Sequence, residues 1–142
     1  MWINTAPTVA NAWFAKRNAD LGYNVAPLVR LAKKWNVAHS KRMQSFHLET
    51  VAATAFSTLG ASRQNGLASF FERAPRHLDV TDPGQQSGSL SSYLNWGART
   101  ELVTALGSAA DRAKKALAAE AAGDHAEAKR LWGIILGSGF PT

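Results

Sequence analysis

The chain contains no cysteine, which excludes a disulfide framework and a thiolate metal site and suits a reducing, cytoplasmic setting. It also has no long hydrophobic run. Asn4, Asn11, Lys16, Arg17, Asn18 and Asp20 interrupt the apolar positions of the first turns, so no signal-peptide core forms, and no later run approaches the roughly 20 residues of a membrane span. A soluble protein with no membrane partner is expected. Acid is scarce in one region only. Residues 1–46 carry Lys16, Arg17, Arg30, Lys33, Lys34, Lys41 and Arg42 against Asp20 alone, while the remaining nine basic residues are matched by nine acidic ones. The net charge of +6 therefore resides in the first third, which implies an anionic partner on that side: nucleotide, nucleic acid or phosphate.

Several chemistries are missing as well. No glycine-rich phosphate loop of either common pattern occurs, and no G-x-S-x-G nucleophile motif. Carboxylates at D-x-D or E-x-D spacing, which two-metal phosphoryl transfer needs, are absent. His39, His47, His77 and His125 are scattered with no i, i+4 pair, so no metal site is expected. His47, between Phe46 and Leu48, reads as a hydrogen-bonded packing residue. Asp79 and Asp82 read as turn and cap residues. No catalytic residue is assigned, and the chain by itself is not expected to catalyse a reaction.

What is present is the material for helices. With 46% hydrophobic and 18% charged residues, the 142-residue chain is expected to order as a single domain over 1–142. A helix is predicted over Thr8–Ala19, after Pro7. A second is capped by Asn24, has Pro27 in its first turn and runs to Asn36. A third spans Gln44–Leu59, closed by Gly60, and a fourth Leu67–Arg73. Residues 77–92, "HLDVTDPGQQSGSLSS", read as one long surface loop. A long alanine-rich helix over Leu94–Ala122 follows. A last helix is capped by Asp124, with Glu127 as the third residue of a capping box. No strand emerges and no segment repeats. The fold class is all-α, an irregular bundle of about six helices with one long loop.

The second helix has two characters. In "LVRLAKKWN", residues 28–36, Leu28, Leu31, Ala32 and Trp35 share one arc, and Arg30, Lys33 and Lys34 share the opposite one. Cations on such a face are ordinarily just solvated, their stems lying along apolar surface. "SFHLETVA", residues 45–52, follows after the short basic connection "VAHSKR", so the two helices should lie side by side. Cations on one helix, with the hydroxyl of Ser45 and the ring of Phe46 opening the next, could grip a polyphosphate and stack on a base. Plain core packing is the competing reading of Phe46.

Three segments in order, "PLVRLAKKWN", "SFHLE" and "AKRLWGIILGSGFP", with an acidic "DP" loop between the last two and "MWINTAP" ahead of them all, carry a resemblance. Together they resemble the second, helical half of the oligoadenylate-synthase-like and cyclic-GMP-AMP-synthase-like nucleotidyltransferases, particularly the bacterial cyclic-oligonucleotide synthases with roles in antiviral defence. The resemblance spans nearly the whole chain. It implies nucleoside triphosphates as substrates and magnesium as cofactor, the metal held only by a carboxylate triad in a catalytic sheet half that these residues do not include and that would act in cis or in trans. By the same resemblance, Arg30 matches a basic residue facing the substrate cleft, and Lys33 a lysine that contacts the donor triphosphate. Ser45 matches a position touching phosphate or sugar. Phe46 matches an aromatic, commonly tyrosine, that stacks on a base; phenylalanine keeps the stacking surface and loses the hydroxyl. Lys34, Lys41 and Arg42 are expected to be solvated. Two other readings stand beside this one: a basic helical nucleic-acid-binding module, and a protein that docks a partner subunit.

Overall fold

The structure, a computed structural model, describes residues 7–84 and 88–137. "MWINTA" and the final "SGFPT" lie outside the described residues, and with them parts of two of the segments that carry the resemblance. Six α-helices occur among the described residues: α1 (Pro7–Asp20), α2 (Val25–Ala38), α3 (Ser45–Thr54), α4 (Arg63–Arg73), α5 (Trp96–Ala121) and α6 (His125–Leu136). A 3-10 turn, Ala74–Arg76, extends α4. The only extended pairing among the described residues is a single antiparallel bridge between Thr81 and Ser89, so the all-α class holds. No helix among them is long and apolar enough to cross a membrane.

Helix α2 is the hub, touching α1, α3, α4 and α6, while α5 and α6 form a long hairpin against which α4 packs. The predicted core arc of α2 is buried in full: Leu28, Leu31, Ala32 and Trp35. The Trp35 ring meets that of Phe71 on α4 at 5.2 Å and lies over His39 at 5.9 Å. His39 in turn binds the carbonyl of Ile135 through Nε2 at 2.8 Å, so the end of α2 caps the end of α6. Gly137 makes this junction possible. It has φ 77°, and a Cβ there would stand 3.0 Å from Ala38.

Several helix ends differ from the sequence prediction, each for a long-range reason. Helix α3 stops at Thr54 rather than Leu59, and beyond it side chains from elsewhere bind the carbonyls of the 53–59 stretch. Arg17 donates to Ala53 O (2.9 Å) and Phe56 O (2.6 Å), Arg73 to Ala55 O (3.2 Å), and Asn24 to Leu59 O (2.9 Å). Asn24 is thereby diverted from capping α2. Asn18 takes that role, its Oδ1 accepting the amides of Val25 and Ala26, each at 3.1 Å. Helix α4 begins four residues before the predicted start, with Ser62 as its cap, and α5 begins at Trp96 because Asn95 caps it. Asp124 caps α6 as predicted, but Glu127 turns to Arg130 instead of closing the box.

The 77–92 segment is not simply a surface loop. Leu78 and Asp82 are buried, and Leu90 N–H bonds Val80 O at 2.9 Å. Asp82 is the predicted turn residue, accepting Gly84 N–H at 2.8 Å. Asp79 is not: it receives both arms of Arg99 on α5 at 2.9 Å and the Ser91 hydroxyl at 2.6 Å. These bonds hold its carboxyl below the usual carboxylate range, Arg99 contributing most.

The clasp on 53–59 yields a prediction. Replacing Arg17 with Ala would leave two carbonyls without their charged donor, and we expect a loss of roughly 2–3 kcal/mol, read as a lowered urea midpoint. An unchanged midpoint would mean that the clasp does not stabilise the end of α3.

Candidate functional site

Helices α1, α2 and α3 enclose a groove of about 400 Å³ lined by Asn11, Phe14, Asn18, Val29, Arg30 and Glu49, among others. Its cation comes from α2, its aromatic wall from α1 and its carboxylate from α3. Arg30 is exposed there, on the arc of α2 opposite Trp35. Lys33, one turn further on the same face, binds Glu49 Oε1 across the α2–α3 contact at 3.2 Å. Phe46 is half-buried and meets the edge of Phe14 at 5.9 Å. Ser45 is exposed at the first position of α3, one turn before Glu49.

Three of the four residues singled out from sequence meet at one inter-helix seam, in two different ways, while Ser45 is exposed one turn before Glu49. Arg30 opens directly into the groove, whereas Lys33 and Phe46 reach it through partners, Glu49 and Phe14. Those two partners were missed. Glu49 had a signal: at three residues from Phe46 and four from Ser45 it shares their helical face, opposite a basic helix. Phe14 had none beyond being apolar.

Behind the first turn of α3 lies a buried polar relay. His47 binds Leu78 O through Nε2 at 2.7 Å and Tyr93 Oη through Nδ1 at 2.6 Å, and Tyr93 Oη also accepts Gln44 N–H at 3.1 Å. A carbonyl can only accept, so Nε2 carries the proton. Nδ1 then accepts from the Tyr93 hydroxyl, and the ring is neutral. Burial pushes the His47 pKa down, and burial likewise pushes the Tyr93 hydroxyl up, so both keep their neutral forms. The relay pins the 77–92 segment to the helix start that presents Ser45 and Phe46. The packing role read for His47 is the one the structure gives it.

Among the described residues no three His, Asp or Glu side chains gather into a group that could hold a metal ion, so these residues by themselves offer no carboxylate set for magnesium.

With cations, aromatic edge and helix start on one seam, comparison with known proteins becomes informative. The chain is similar to a probable cyclic nucleotide synthase of Bacillus cereus (strain VD146). Identity is 25% over 145 positions, covering 99% of this chain and 44% of the relative, so the chain spans less than half the length of the protein it matches. No family model matches the chain. The similarity points the same way as the three ordered segments.

The relay predicts a pH dependence. With the folded pKa of His47 below the unfolded value of about 6.5, the unfolded chain binds the extra proton. Stability present above pH 6.5 should therefore fall as pH drops through 6.5 toward the folded value. Urea midpoints between pH 7.5 and 5 should decline in the wild type and decline less in His47→Gln, whose amide can still donate to Leu78 O. Parallel curves would remove His47 as the source.

Proposed function

We propose that the chain is the nucleotide-binding helical portion of a nucleotidyltransferase that joins nucleoside triphosphates into cyclic or linear oligonucleotides. One observation carries this reading: Arg30 of α2 and Phe14 of α1 line a single groove, with Lys33 and Phe46 held against its lining residues Glu49 and Phe14, in a chain similar over 99% of its length to a probable cyclic nucleotide synthase. In this reading Arg30 and Lys33 receive the triphosphate. Two cations one helical turn apart, on long flexible side chains, can reach different phosphates of one triphosphate, and a partly desolvated groove strengthens each contact relative to open surface. The hydroxyl of Ser45 and the N-terminal end of α3 add donors for phosphate or sugar oxygens. Phe46, edge-on to the groove-lining ring of Phe14, offers with it a hydrocarbon surface for a base.

This chain's residues bind and orient; the bond-making chemistry belongs to a carboxylate-bearing half, the site of the magnesium ions, supplied in cis or in trans. The groove then serves as one wall of a cleft.

A titration of ATP and GTP, with and without magnesium, tests the reading on wild type and two variants. Lys33→Ala should weaken both nucleotides about tenfold or more. Phe46→Ala should weaken ATP by about tenfold while leaving inorganic triphosphate unchanged. Absence of saturable triphosphate binding up to millimolar concentration would refute a nucleotide-binding wall. Tight binding to duplex or single-stranded nucleic acid that weakens steeply with salt would favour the nucleic-acid-binding alternative instead.

A further inference from the structure

We propose that Glu49 is a built-in competitor for the phosphate site. Its carboxylate holds the Lys33 ammonium in position on the groove wall and gives way when a polyphosphate arrives. The inference rests on the nucleotide-binding reading above and deepens it by adding a residue that sets the affinity of the same groove.

Among the described residues lining the groove, Glu49 is the one carboxylate, and it is bonded to Lys33 of α2. Its bond to Lys33 is made across sixteen residues of sequence, from the third helix to the second, at 3.2 Å. The ammonium and carboxylate side chains are 40% and 29% exposed, respectively. A pair that open to water is weak and readily exchanged, since solvent screens its Coulomb attraction and each long side chain loses freedom in making it. A triphosphate brings more charge and several acceptor oxygens to the same ammonium and also engages Arg30, one turn earlier on the same face.

Two opposed effects follow. In the absence of ligand, Glu49 keeps Lys33 ordered at the groove, so less side-chain entropy is lost on binding. Once an anion enters, the same carboxylate is a like charge at close range and must swing aside. Because the pair is half-exposed, the repulsion outweighs the ordering, and the net role is a brake that restricts the groove to ligands of high negative charge.

Calorimetric titration with sodium triphosphate tests this on the full 142-residue chain, comparing wild type, Glu49→Gln, Lys33→Ala and the double variant. Glutamine keeps the shape and removes the charge. Glu49→Gln should bind about two- to fivefold more tightly than wild type, and the double variant should bind no better than Lys33→Ala. A merely structural role for Glu49 could not produce the gain. If wild type binds through Lys33 but Glu49→Gln is equal or weaker, the competitor role is refuted and the nucleotide-binding reading stands. A gain that persists without Lys33 refutes the role of the pair. If none of the four proteins binds triphosphate, both the inference and the reading beneath it fall.

Discussion

The burial of Trp35 is the constraint on which the arrangement depends. The largest side chain of α2 is sealed against Phe71 of α4 and covered by His39, which reaches on to the end of α6. With that arc fixed inward, the geometry of a helix leaves Arg30, Lys33 and Lys34 no choice of side. Arg30 and Lys33 thereby face the seam with α1 and α3. The cationic face and the core are therefore one decision, and a change that loosened Trp35 would rotate the cationic row as well as open a cavity.

Charge in this chain is less available than its count implies. Of the seven basic residues in the first third, Arg17 is occupied with backbone carbonyls, Lys16 pairs with Asp20, Lys33 with Glu49, and Arg42 with Glu101. Two of those acids come from later in the chain, where composition looks balanced. The sequence asymmetry therefore overstates the positive surface, and it is Arg30 that keeps an exposed guanidinium in the groove. The Lys33–Glu49 pair is itself partly open to water, which screens it.

The relay behind α3 shows how a residue without ligand contact can govern a site. His47 lies between Phe46 and Leu48 in sequence and faces inward, where Tyr93 and Leu78 complete its bonds. It joins the helix start bearing Ser45 and Phe46 to the 77–92 segment, which Asp79 and Arg99 tie in turn to α5. The first turn of α3 is thus held from behind while its outer side stays open. This is the arrangement that lets exposed groups keep a fixed orientation.

By itself the sequence determined what depends on neighbours within a turn or two. That includes the helical class, the inward and outward arcs of α2, the Asp124 cap and the place of Ser45 and Phe46 at a helix start. Period and caps encode these directly, since each rests on contacts three or four residues apart. Only the tertiary structure decided where α3 stops, which side chain caps α2, which cations are paired, and that Phe14 and Glu49 complete the groove. The physical reason is the reach of the bonds involved. Arg17 meets the end of α3 across 36 and 39 residues, Asn24 meets Leu59 across 35, and Lys33 meets Glu49 across 16. Periodicity along the chain carries no record of partners at those separations, so they come into being only when the helices pack.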